Sequence, residues 1–191
     1  MVNGEQLFAK LKIKMEPDEK VEAGVGIRTA GVATKLSGEM MDGAREELTA
    51  RGEGGGLIGS FPLAKIRISL VDAEVTEESN DIAFRMAAGD AFEKALRDGT
   101  PTLLEPIMKV TINTPDEYYG DFIGDLSQRR AQIVNTDSKN GRTTIEAHAP
   151  LGELFGYSNA MRSLSQGRAG SSIEPLHYAA APAEIADGFK F

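Results

Sequence analysis

The sequence predicts an α+β protein built as two domains, and three observations predict it. Short stretches alternate apolar and charged residues, as strands with one wet face do. Longer stretches between them place apolar residues three and four apart, as amphipathic helices do. Gly99-Thr100-Pro101 punctuates the chain near its middle, after a helical stretch and before a strand, and marks a domain boundary near residue 102. The 191 residues leave about 100 for the first domain, enough to hold its own core.

Each element follows from its own pattern. From Phe8 to Met15, Leu11, Ile13 and Met15 alternate with lysines, and Pro17 ends this first strand. Residues 18–38 are polar, and Gly24, Gly26 and Gly31 set loops around a short strand. Gly38 to Ala50 has helical spacing, with Met41, Ala44 and Leu48 on one stripe. The spacing ends that helix at Arg51-Gly52-Glu53-Gly54-Gly55-Gly56, read as a flexible connection. Pro62 to Asp72 is a second strand with Ile66, Ile68 and Leu70 inward. An acidic turn follows from Glu74 to Asp81. Ser79 or Asn80 caps the next helix, since each offers a short side-chain acceptor to free amides. That helix runs to Asp98 with an apolar face of Ile82, Phe84–Met86, Ala91–Phe92 and Ala95–Leu96.

In the second half, Met108, Val110 and Ile112 alternate with Lys109, Thr111 and Asn113 in a strand. Thr114-Pro115-Asp116-Glu117 then reads as a helix start, with Thr114 as cap, Pro115 at the first helical position and Glu117 closing a capping box. Phe122, Ile123 and Leu126 give the buried stripe of a helix to Arg130. Strands around Gln132–Val134 and Thr144–Ala149 flank Asn140-Gly141, a hairpin turn. A third helix is expected from Leu151 to Ser165, carrying Leu154, Phe155, Met161 and Leu164, and a last strand covers Gly170–Tyr178. The order β-α-β-β-α-β over residues 103–181 is the ferredoxin-like split arrangement.

Composition narrows the function. The net charge is −8, divided as −5 before residue 102 and −3 after it, so neither domain has the basic surface that broad binding to phosphate backbones needs. There is no cysteine, hence no disulfide framework and no thiolate chemistry, which fits a cytoplasmic protein. No apolar run approaches the ~18–20 residues of a membrane helix. Two histidines, His148 and His177, are too few for a histidine-rich metal centre.

Four features could carry chemistry. The glycine-rich stretch at residues 52–56 lacks the lysine and Ser/Thr of a nucleotide loop, because Leu57 and Ile58 follow it. Glu74, Glu77, Glu78 and Asp81 could bind a hard cation or act as an acid–base pair, but their spacing matches no calcium loop and suits a solvated turn beside a helix start. No Gly-x-Ser-x-Gly elbow is present, and neither histidine has a sequence-near partner for catalysis. Arg129, Arg130, Arg162 and Arg168 fall near the ends of the second domain's helices, where they either complement the helix carboxyl termini or contact RNA phosphates.

Wording adds to periodicity. Leu103-Leu104-Glu105-Pro106-Ile107-Met108, Gly124-Asp125-Leu126-Ser127-Gln128-Arg129-Arg130, Leu154-Phe155-Gly156-Tyr157 and Arg162-Ser163-Leu164-Ser165-Gln166-Gly167-Arg168-Ala169 resemble, in order and spacing, the fifth domain of bacterial elongation factor G. Phe8 to Pro17, Ser60-Phe61-Pro62 and Ala83-Phe84 resemble that family's fourth domain. The resemblance implies two folds, one like the second domain of ribosomal protein S5 with a left-handed crossover (residues 1–102), then a ferredoxin-like sandwich (residues 103–181). A tail from residue 182 is expected to leave the second sheet and pack back on the first domain. With no phosphate loop, the chain reads as a carboxy-terminal fragment or a close paralogue's counterpart, without GTPase activity or cofactor of its own. GTP and magnesium are expected on a preceding domain of the parent.

The resemblance also implies partners: the ribosome, met as a monomer, with no membrane. The fourth domain's tip loops would meet the tRNA–mRNA pair at the decoding site, and the fifth domain would meet rRNA at the stalk base and sarcin–ricin loop. The tip loops correspond to Ala30, Gly31, Val32, Ala33 and Thr34, and to Ala73, Glu74, Val75 and Thr76, leading on to Ser79. They are expected to lie together at the end of the first domain farthest from the second. Arg129, Arg130, Arg162 and Arg168 are the expected rRNA contacts. Two departures stand out. The family's Gly-Gly-Val-Ile-Pro is replaced by Ala-Gly-Val-Ala-Thr, and its tip histidine falls at Glu74 or Val75. They point toward a paralogue acting in ribosome recycling or protection as an alternative to the main translocase. A stand-alone RNA- or protein-binding module and a metal-dependent enzyme using the acidic turn are the readings from other classes.

Overall fold

A computed structural model describes residues 7–21, 24–55 and 60–189. It is α+β with two separate sheets. The chain divides into two compact units. One comprises the residues to Thr102 together with those from Ala183, and the other is Leu103–Pro182.

The first unit is a three-stranded sheet backed by two helices. β1 (Lys10–Pro17) and β2 (Val25–Arg28) flank β3 (Ile66–Glu74), with β1 antiparallel and β2 parallel to it. Between β2 and β3 run a short 3-10 turn, Ala30–Val32, and α1 (Gly38–Gly54). α2 (Asp81–Asp98) follows β3. Ile68 and Leu70 of β3 pack with Ala44 and Leu48 of α1 and with Phe84, Ala88, Phe92 and Leu96 of α2. Burying the two phenylalanines alone removes enough apolar area to contribute several kcal/mol.

Several expectations need correction here. The glycine-rich stretch is not a linker at its start, because α1 continues through Gly52, Glu53 and Gly54. Two contacts hold that last turn. Arg51 binds Glu47 on its own helix and Glu93 on α2, each at 2.8 Å. Gly52 is buried where a Cβ would come within 2.6 Å of Val25, so its glycine allows close approach of helix to strand rather than flexibility. Gly56 lies outside the described residues. β3 begins later than expected, after Lys65 at φ +57°, and runs on to Glu74. In α2, Ile82 and Met86 are exposed, and the buried stripe is Ala83, Phe84, Ala88, Gly89, Phe92 and Leu96. Asn80 is the cap, its Oδ1 accepting from the Ala83 amide at 2.8 Å. Ser79 instead donates to the Phe8 carbonyl and accepts from the Thr76 amide.

The second unit is a four-stranded antiparallel sheet in the order β5-β6-β4-β7, made of β4 (Leu104–Pro115), β5 (Gln132–Lys139), β6 (Arg142–Pro150) and β7 (Gly170–Ala180). α3 (Tyr119–Gln128) and α4 (Tyr157–Ser165) supply Phe122, Leu126 and Tyr157 to a core with Val110, Ile112, Ile145 and Ala147. The β5–β6 turn is Asn140-Gly141 with both residues at positive φ, +56° and +76°, as a two-residue hairpin requires.

Two helix predictions fail in this unit. No capping box forms, because Thr114 stays in β4, fully buried and opposite Thr143. A 3-10 turn, Asp116–Tyr118, precedes α3 instead. Asp116 there accepts the hydroxyls of Ser138 and Thr143 from the adjoining hairpin. The helix expected over Leu151–Ser165 is broken into a 3-10 turn, Leu151–Leu154, and α4. Between them Phe155 is extended and 79% exposed, and Gly156 sits at φ +72°, a conformation that glycine adopts without strain. α3 ends at Gln128, because Arg130 turns to φ +56°. After β7, α5 (Ala183–Asp187) belongs to the first unit, where Phe189 meets Phe61 edge to face at 5.3 Å.

Candidate nucleic-acid interface

The residues expected at the tip come together at one end of the first sheet. The 3-10 turn Ala30–Val32 lies on the last part of β3. A Cβ on Gly31 would sit 2.5 Å from the Leu70 carbonyl and 2.8 Å from that of Val71. Lys35, just beyond Thr34, pairs with Asp72. Ala30, Gly31, Ala33, Thr34, Val75 and Thr76 are exposed there, but Val32 is fully buried and Ala73 is 6% exposed. Val32 therefore anchors the first loop in the core, and the free edge of that loop is Ala33-Thr34.

Ala73 and Glu74 are strand residues, paired across β1 with Leu11 and Lys10. Lys10 Nζ reaches the Glu74 carboxylate at 2.6 Å, and that bond holds the lysine's pKa above its ordinary value. Glu74 is thus a neutralised end of a strand rather than an open acidic loop. Glu77 and Glu78 remain exposed. Among the described residues, no group of three or more His, Asp or Glu is arranged to hold a metal ion.

The four arginines separate into two kinds. Arg129 binds Asp125 at 2.9 Å and the Glu153 carbonyl at 2.6 Å, and its guanidinium lies 5.0 Å from the centre of the Tyr157 ring. Arg130 makes a two-pronged contact with Glu105 at 2.8 and 3.0 Å and a further one with Glu153 at 3.0 Å, which raises its pKa further. Arg168 is held by Glu117 and by Tyr118, whose ring it also covers. These three tie helix ends to neighbouring segments. Arg162, by contrast, is exposed and its side chain has no ion pair or hydrogen bond among the described residues. It shares the outer face of α4 with Ser158, Asn159 and Ser163, and α4 contains no acidic residue. A guanidinium on a face without carboxylates keeps its full attraction for a phosphate, which three internally paired arginines do not.

A fifth arginine escapes the sequence reading. Arg142 donates to Asn113 Oδ1 at 2.5 Å, to the Asn113 carbonyl at 3.1 Å and to the Arg168 carbonyl at 3.2 Å, all neutral acceptors. Its charge is oriented but not neutralised. One signal was available. The Asn140-Gly141 turn sets Lys139 directly opposite Arg142, and like charges across a hairpin are unfavourable without an external partner. The Tyr157 hydroxyl is buried without a hydrogen-bond partner among the described residues, and burial, then the Asp125 charge, push its pKa up. His148 and His177 are brought within 6.4 Å of each other, a proximity that chain separation hides.

An α+β unit with one parallel and one antiparallel pairing, followed by a β-α-β-β-α-β unit with an unpaired arginine on its second helix, defines a class: a two-domain α+β protein whose second domain is a ferredoxin-like sandwich. Comparison with known proteins makes this particular. The family model for domain IV of elongation factor G matches residues 1–100, and the model for the elongation factor G carboxy terminus matches residues 102–188. The chain belongs to the elongation factor G family. Among solved structures, it is similar to the crystal structure of a protein from Thermus thermophilus, with a TM-score of 0.79 and 27% identity. That match covers 98% of this chain and 28% of the Thermus protein, so the chain spans little more than a quarter of its relative's length. Among the described residues, no helix is long and apolar enough to cross a membrane.

Proposed function

We propose that this chain is the ribosome-contacting part of a cytoplasmic translational GTPase that promotes tRNA–mRNA translocation. The observation that carries the reading is Arg162, a cation left free on an acid-free helix face in a chain whose net charge is −8. An acidic protein cannot hold RNA by bulk charge, so it needs a few phosphate contacts that its own carboxylates do not cancel. Arg162 is such a contact for rRNA, Arg142 a second one in the same unit, and the tip residues Ala30–Thr34 and Glu74–Thr76 of the first unit meet the tRNA–mRNA pair. The chain itself is not the GTPase, and GTP and magnesium belong to a preceding domain of the parent. The test is co-sedimentation of the full-length parent with ribosomes over a salt series. Arg162→Ala should weaken association about tenfold and make it less salt-dependent, as expected when one phosphate contact is lost. An unchanged affinity and salt slope would refute the reading.

The second reading, a paralogue acting in ribosome recycling or protection, is favoured by the tip. The exposed Glu77 and Glu78 stand where a loop approaching phosphates would be neutral or basic. Single-turnover translocation and subunit-splitting assays on the same parent separate the two. Splitting without translocation selects the second.

A further inference from the structure

We propose that His148 and His177 form a reversible binding site for a divalent transition-metal ion such as Cu²⁺, Ni²⁺ or Zn²⁺, on the sheet face opposite α3 and α4. The two imidazoles come from strands that are not neighbours, His148 from β6 and His177 from β7, on either side of β4. Alternation fixes the first. Ala147 and Ala149 lie in the helix-covered core, so His148 projects from the other face, in the row of Lys109. The second depends on an irregularity. Lys109 pairs with Glu174, Met108 with Pro175 and Ile107 with His177, so Leu176 is an extra residue in β7. Regular alternation from Glu174 would send residue 177 into the core; the bulge returns it to the outer face. Bulges re-aim side chains in this way and cluster beside functional sites.

The result is two rings with centroids 6.4 Å apart and planes at 84°. With metal–nitrogen bonds of about 2.0–2.1 Å, two imidazoles on one ion have centres roughly 5–6 Å apart. His177 is exposed and so not held in place by core packing, and the observed separation lies just beyond that range. Imidazole pairs suit copper, nickel and zinc. The surrounding charges favour a cation. Next to the two rings, Glu146 and Glu174 flank Lys109, whose ammonium lies 3.9 Å from Glu146. With two protein ligands, water completes the coordination, and the ion exchanges readily while tying β6 to β7 across β4.

The test uses the full 191-residue chain without an affinity tag, titrated calorimetrically with Cu²⁺ and then Zn²⁺. One ion per chain is expected. His148→Gln and His177→Gln should each weaken binding at least about tenfold, and the double variant should abolish the event. Sub-stoichiometric Cu²⁺ should broaden amide resonances around residues 107, 148 and 177 in the wild-type chain, a readout independent of whether the variants fold. Absence of saturable one-to-one binding, wild-type affinity in either single variant, or broadening centred elsewhere would overturn the proposal.

Discussion

At the end of the first unit where residues 30–34 meet β3, two lysines are already engaged, Lys10 by Glu74 and Lys35 by Asp72, while Lys12 and Arg28 beside them are exposed. On the outer face of α4 in the second unit, Arg162 is engaged by nothing among the described residues. Both regions contain positive charge in sequence, but in the first much of it is taken up by neighbouring carboxylates. Availability of charge, rather than its count, separates a region that shapes the protein from one that can meet a polyanion. At the tip, recognition rests more on the shape of small residues and on backbone groups than on the lysines already paired.

The largest effect should come from that shape. Gly31→Ala forces a Cβ into the Leu70 and Val71 carbonyls, which are strand backbone and cannot turn aside. About 1–3 kcal/mol of destabilisation is expected in urea melts. An unchanged midpoint would mean that the loop is not seated on β3, and the tip would cease to be a rigid counterpart to α4. Next, Arg130→Ala should lower stability by about 1–2 kcal/mol, because it removes a half-exposed bidentate pair, whereas Arg162→Ala should stay within about 0.5 kcal/mol. Equal losses would erase the distinction between paired and free arginines.

The opposite end of the first sheet gives a pH-dependent control. The Lys20 amide first, and then Arg67, hold the Asp18 carboxyl below its usual value of 3.8. A lowered pKa stabilises the fold above the unfolded value and is lost as the carboxylate protonates. Asp18→Asn should therefore be less stable than wild type at pH 7, with the gap closing as pH falls below about 4. A gap that widens in acid would contradict this. The smallest effect is expected at the tip itself. Glu74→Gln removes one side of a fully solvated pair, so the melting temperature should not move measurably and single-turnover translocation by the parent should stay within about twofold. A large loss of translocation would give Glu74 a direct contact and move the interface onto charge there too.

Periodicity located most elements because most obey one local rule. Leu11, Ile13 and Met15 alternate, Phe122 and Leu126 share a helix face, and Asn140-Gly141 makes a tight turn whatever surrounds it. What it missed depended on partners far away in the chain. Gly52 has the look of a linker residue in sequence, and only Val25 packed against it shows otherwise. Thr114 had the chemistry of a cap, but pairing with Thr143 kept it in the strand. The site was less legible for the same reason. All four arginines look alike in sequence, and only the positions of Asp125, Glu105, Glu153 and Glu117 tell Arg162 from the rest. The bulge that re-aims His177 leaves no local mark beyond Pro175.

The placement of α5 has a consequence for the order of assembly. The first unit is interrupted, since its chain leaves at Thr102 and re-enters only at Ala183, after the whole of Leu103–Pro182. At synthesis rates of about 5–20 residues per second, Phe61 waits roughly 6–26 s before Phe189 exists to meet it. Through that interval Phe61 lacks its aromatic neighbour, while the β-α-β-β-α-β unit completes its own sheet. Newly made chains therefore pass through a stage in which the first unit lacks its last helix while the second is being made. Protease sensitivity near Phe61 in chains truncated before Ala183 would make that stage visible.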